Sequence, residues 1–183
     1  MQGEQCPPVS VICQCNGYSI TGTIQDVWPN KLLRYRCATV KSKDRLRIWI
    51  QHLILNAGAS DSVPRKSIFI GIDRVWETEP LGTISLQILE KLVAIYHLGL
   101  RSALHFFPES SLAYAESIQK GKTPDEALHT ARTTWAGNDF VPGEGRDPYY
   151  TLCFSGTDPF NKEFETLSRE IFEPLMHYQK QVT

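Results

Sequence analysis

Two arginines two residues apart, Arg34 and Arg36, stand in the run Leu32-Leu33-Arg34-Tyr35-Arg36, which reads as a strand. Side chains at positions i and i+2 of a strand share a face, so this spacing sets two guanidiniums side by side. Lys41, Lys43, Arg45 and Arg47 follow directly, with Asp44 the one acidic residue between Arg34 and Arg47, for a local charge of +5. A guanidinium donates hydrogen bonds and accepts none, so the pair holds phosphate or carboxylate oxygens and repels metal cations. Three uses follow: contact with nucleic-acid phosphates, charge-matched docking of a partner, or pairing of Arg34 and Arg36 with carboxylates inside the domain. Lys41, Lys43, Arg45 and Arg47, at a strand end and a helix start, are the better contact candidates, although a solvated helix face is the ordinary state of such residues. Trp28, beside Pro29 in a turn, suits a protein interface or stacking on a base if exposed.

The remaining chemistry-bearing residues are dispersed. Five cysteines (Cys6, Cys13, Cys15, Cys37 and Cys153) are odd in number and irregular in spacing, which predicts free thiols in a reducing cytoplasm. Cys13 and Cys15 lack the second Cys/His pair that a structural zinc site needs. Glu144 and Asp147 lie in a loop rich in glycine and proline, and a structural role is expected of them. At 183 residues and net charge −1 the chain is long enough for a full core and is no bulk polycation, so any nucleic-acid contact must be local. It predicts one domain, with no bilayer-spanning stretch and no signal peptide in its polar leader.

The elements that position the arginines follow from periodicity and turn residues. Val9–Cys15 and Tyr18–Val27 read as strands joined by an Asn16-Gly17 hairpin turn, and Leu32–Val40 as a third strand of an antiparallel meander. Leu46, Trp49, Ile50, Leu53 and Ile54 mark one face of a helix capped by Ser42. A strand over Ser67–Ile72, extended or turned back at Val75 and Trp76, precedes a long helix over Thr83–Leu100 and a short strand over Leu104–Phe107. Helices follow from Ser110 or Ser111 to Lys120, and from the capping box at Thr123-Pro124-Asp125-Glu126 to near Gly137. Phe160, Phe164, Leu167, Ile171, Leu175 and Tyr178 mark a last amphipathic helix that Pro174 should kink or split. Strands first and helices later predict an α/β or α+β domain, a small mixed sheet flanked by helices.

A metal-dependent nuclease needs hard oxygen ligands: an Asp closing one strand, then an acid and a lysine two residues apart on the next. Gly22-Thr23-Ile24-Gln25 resembles the first strand of RecB-type nucleases, and Leu32–Arg36 resembles the second. Gln25 stands at the first carboxylate position, Arg34 at the second and Arg36 at that of the lysine. Asp26, one residue late, would face the other side of a regular strand.

These segments, together with KDRLR, FFPESS and GEGRDPYY followed by a terminal helix with EPL, resemble the C-terminal domain of the exodeoxyribonuclease V gamma-subunit (RecC) family over nearly the whole chain. The resemblance implies a degenerate PD-(D/E)xK restriction-endonuclease-like fold without catalytic residues, and a chain that is a C-terminal piece of a longer subunit. It implies a cytoplasmic domain that docks RecB and RecD subunits and guides DNA in double-strand break repair and recombination. Magnesium and ATP would then serve those partner subunits, and the domain would hold no cofactor; no ATP-binding P-loop motif occurs in the chain. Two other readings stand beside it. One is a divergent metal-dependent DNA nuclease that uses Asp26 with carboxylates such as Asp73 or Glu77. The other is a module that binds protein alone.

Overall fold

The computed structural model describes residues 4–60 and 62–182. The first residues of the polar leader, and Asp61 in the loop expected after the first helix, lie outside that range. The architecture is mixed α/β and divides into two compact units. One is built on the residues up to His97 and from Leu175 onward, the other on Leu98–Pro174.

The first unit opens with a hairpin, β1 (Val9–Cys15) and β2 (Tyr18–Ile24), in register from Val9 opposite Ile24 to Cys15 opposite Tyr18. Asn16 and Gly17 turn it with φ of 49° and 77°, the two positive values that a tight two-residue hairpin requires. Val11, Cys13 and Cys15 alternate inward. The hairpin is its own sheet. A five-stranded sheet follows, in the order β3 (Val27–Trp28), β4 (Lys31–Tyr35), β5 (Ser67–Ile70), β6 (Val75–Thr78) and β7 (Gln179–Val182). All neighbours pair antiparallel except β4 and β5, which run parallel with Arg34 opposite Phe69. Parallel pairing needs a long crossover, and α1 (Ser42–Gly58) supplies it. The core here gathers Leu32, Ile48, Leu55, Phe69 and Trp76, with Val11 and Ile24 of the hairpin.

Three expectations are corrected in this unit. The antiparallel meander is interrupted, because Asp26 takes φ +60° and ends the run that alternation extends to Val27. The third strand stops at Tyr35, not Val40. Ser42 lies inside α1 and is buried; Lys41 is the N-cap residue, and its backbone N–H donates to the Asp44 carboxylate at 3.2 Å.

Behind the sheet, His52 of α1 is fully buried with its Nδ1 2.7 Å from the Ser67 hydroxyl. Burial pushes its pKa down to about 4, against an opposing pull from Glu79. The unfolded chain takes up the proton near pH 6.5 and the folded one near 4, so stability present above 6.5 is lost as pH falls through that window. Urea midpoints measured from pH 7 to pH 4 should therefore fall more steeply in the parent than in His52→Gln. Parallel slopes would remove His52 from the acid response.

A long helix, α2 (Ile84–Gly99), follows β6 within the span expected for it. The second unit is helical. Pro108–Gln119 forms α3 and Pro124–Ala136 forms α4, which starts at the expected capping box: Thr123 accepts from the Glu126 N–H, and Glu126 accepts from the Thr123 N–H at 2.8 Å. The short α5 (Pro148–Phe154) was not foreseen, and Leu104–Phe107 is not a strand; Phe107 is the N-cap residue of α3. The last helix, α6 (Lys162–Tyr178), continues through Pro174 without splitting. Phe107, Tyr114, Phe154, Phe160 and Phe164 form the core with Ala127 and Ala131, and Trp135 and Tyr150 pack on it. Glu144 and Asp147 are caps here. Glu144 accepts from the Glu109 and Ser110 N–H groups at 3.0 and 2.8 Å and from the Ser110 hydroxyl at 2.9 Å, while Asp147 accepts from the Tyr149 N–H. Among the described residues, no helix is long and apolar enough to cross a membrane.

Candidate functional site

The site lies where β4 meets the exposed side of α1. Strand alternation puts Leu32 and Arg34 on one face, with Leu32 fully buried, and Arg36 follows just past the strand end, where its backbone N–H donates to the Ile70 carbonyl at 2.8 Å. The left-handed turn at Asp26 breaks the alternation that would have carried its carboxylate to the opposite face. That carboxylate instead pairs with Arg34, and Gln5 donates to its second oxygen at 3.2 Å. Leu33 N–H donates to the Asp26 carbonyl at 3.0 Å and fixes the turn. Arg34 Nε donates to the Gln51 side-chain oxygen at 3.1 Å. Arg36 Nη1 donates to Asp44 at 2.5 Å, and the same Asp44 caps its own helix. A pocket of about 420 Å³ opens here, lined by Arg34, Arg36, Asp44, Arg47, Gln51 and Phe69 among others.

Arg34 and Arg36 are each paired with one carboxylate inside the domain. Gln25 is exposed. Lys41, Lys43 and Arg47 are exposed along the start of α1. Arg45 departs from the expectation of a surface cation: it is 4% exposed, its guanidinium lies 3.7 Å from the Trp76 ring, and its Nε donates to Gln179 at 2.8 Å. Trp28 is half-buried, paired across its hairpin with Lys31. Gln51 and Phe69 were missed by sequence reasoning. Gln51 has a readable signal, because Asp44, Ile48 and Gln51 follow the i, i+4, i+7 spacing of one helix face.

The residues present do not fit a catalytic metal. Among the described residues no group of three or more His, Cys, Asp or Glu gathers as a ligand set. Asp73 accepts from the Val40 N–H at 3.0 Å and pairs with Arg74, Glu77 pairs with Lys66, and Asp26 is taken by Arg34. The expected alternative of migrated carboxylates around Asp26 is corrected accordingly, since each is engaged with a different partner.

Fold and site together define a mixed α/β domain whose pocket is lined by guanidiniums. The family model of the RecC C-terminal domain matches residues 1–119, and the chain belongs to that family. It is 31% identical over 177 residues to the RecBCD enzyme subunit RecC of Escherichia coli (strain K12), a match over 91% of this chain and 16% of that protein. It is 24% identical over 176 residues to the protein of the same name from Buchnera aphidicola subsp. Schizaphis graminum, over 89% of this chain and again 16% of the relative. The chain therefore corresponds to about a sixth of the length of these relatives.

Proposed function

We propose that this chain is a non-catalytic, nuclease-like scaffold domain of a RecC-type subunit. In this reading it has a degenerate PD-(D/E)xK frame, docks RecB- and RecD-type subunits, and guides DNA at the fork during cytoplasmic double-strand break repair and recombination. Magnesium and ATP serve the partner subunits, and this domain holds neither. The observation that carries the proposal is the Arg34–Asp26 pair. The one carboxylate near the first metal-ligand position neutralises an arginine that stands at the second. A divalent ion placed there would meet the Arg34 guanidinium that Asp26 already holds, with Arg36 lining the same pocket, and such charges repel it.

The test is direct. The purified chain incubated with linear duplex DNA and Mg²⁺ or Mn²⁺ should leave the DNA intact, and it should co-elute with RecB- and RecD-type subunits on size exclusion. Metal-dependent cleavage that disappears in Arg36→Ala would overturn the proposal. So would failure to associate with either subunit.

A further inference from the structure

We propose that the pocket between β4 and α1 is a phosphate site for a DNA strand, in which arginines hold directly the group that a nuclease would hold through metal ions. This rests on the non-catalytic reading above and extends it to a particular site and ligand chemistry.

The argument begins with the donors that remain. A guanidinium carries five N–H groups in a planar fork. Arg34 commits one to Asp26 and one to Gln51, and Arg36 commits one to Asp44. Each therefore keeps several N–H groups free while its plane is held by a partner. That is the orienting role that outer partners play at built binding sites. Arg47 lines the same pocket, and no ion pair or hydrogen bond of its side chain occurs among the described residues.

Charge points the same way. Three guanidiniums converge on the pocket against the two carboxylates of Asp26 and Asp44, which leaves a positive surplus. Lys43, exposed one helical turn before Arg47, adds to it. The two carboxylates offset the charges of Arg34 and Arg36 while orienting their guanidiniums, so the net positive charge of the pocket is supplied by Arg47. Phe69 and Ile48 close the base of the pocket with apolar surface. A lowered local dielectric there strengthens a charge-assisted hydrogen bond to an oxyanion. Forked guanidiniums match the tetrahedral phosphate bidentately, and a strand phosphate supplies one charge per nucleotide.

Fluorescence anisotropy of a labelled short oligothymidylate with the full chain, in EDTA and across a salt series, tests the site. Arg47→Ala should weaken binding about tenfold at low salt and lower the log–log salt slope by about 0.7, the value of one lost single-strand phosphate contact. Arg47→Lys should recover part of the affinity, since charge returns without the fork. Lys120→Ala, an exposed cation of the second unit, should change nothing. Tighter binding of a 5′-phosphorylated oligonucleotide would assign a terminal phosphate, and equal binding a backbone phosphodiester; both support the site.

Three results overturn it: no binding at low salt, binding indifferent to Arg47→Ala with circular dichroism unchanged, or displacement by a polyglutamate peptide where DNA does not compete. The last would make the occupant an acidic protein segment. Shortening of the oligonucleotide in a parallel Mg²⁺ lane speaks to a different claim. It would sink the non-catalytic reading, whereas the EDTA arm judges the phosphate site alone.

Discussion

Phe107→Ala should destabilise the second unit by about 4 kcal/mol, the range found when a fully buried phenylalanine is cut to alanine in a well-packed core. Phe107 is 0% exposed. Its ring contacts those of Trp135 at 4.4 Å, Tyr150 at 5.1 Å, Phe154 at 5.1 Å and Phe164 at 6.1 Å between centroids. Mostly tilted and edge-to-face, these contacts add to the area term because ring quadrupoles favour them. The residue also holds the start of α3, where its N–H donates to the Ser111 hydroxyl at 3.2 Å. No neighbour can fill the vacancy, since the surrounding rings belong to α4, α5 and α6 and are fixed by their own helices.

The chain's own tryptophans provide the measurement. Trp135 lies in the second unit and Trp28, Trp49 and Trp76 in the first. With fluorotryptophan labelling and urea titration followed by fluorine NMR, the Trp135 resonance should melt earlier in Phe107→Ala. A shift below about 1 kcal/mol would mean that the ring cluster collapses around the gap at little cost. Whether the other three resonances move with it reports whether the two units unfold cooperatively.

Which parts of this fold were readable follows from how local their causes are. The hairpin at Asn16-Gly17 and the α4 capping box are set by residues within one or two turns of each other, and each was legible. The stripe expected on α1 was read only in part: Trp49 and Leu53 are buried, but Ile50 is 40% exposed, and Ile48, His52 and Leu55 are buried instead. The cationic character of the site was legible too, because Arg34 and Arg36 share a strand face by spacing alone. Asp26 was misplaced because a positive φ at a residue other than glycine is imposed by its partners, here Arg34, Gln5 and Leu33, and leaves little local trace. Strand β7 was missed because Gln-Lys-Gln-Val is polar, and its partner β6 lies about a hundred residues earlier. Leu104–Phe107 has strand-like composition with no edge to pair with. The turn-rich run before α5 masked a short helix that begins at a capping aspartate followed by proline.

Arg45 shows the same limit with the largest consequence for the site, and its substitution is the second large expected effect. Arg45→Ala should cost about 3 kcal/mol in the first unit. The guanidinium over Trp76 is desolvated, where a cation–π contact reaches about 2 kcal/mol, and a charged hydrogen bond such as that to Gln179 contributes a further ~1.5 kcal/mol or more. Arg45→Lys should rescue less than half, because a lysine cannot stack a planar fork on the indole while donating to Gln179. Gln179 begins β7 and Trp76 sits in β6, so the arginine ties α1 to the far edge of the sheet. In sequence it is indistinguishable from Lys43 and Arg47, and the side chains that claim it lie 31 and 134 residues onward. The contrast with Arg47 divides the basic run into its two uses. Arg45→Ala should lower the urea midpoint of the first unit, and, below that midpoint, leave the salt slope of oligonucleotide binding intact. Arg47→Ala should lower the slope and leave the midpoint in place. If both substitutions moved both quantities together, the run would act as one electrostatic surface, and the separation of an inward from an outward arginine would be wrong.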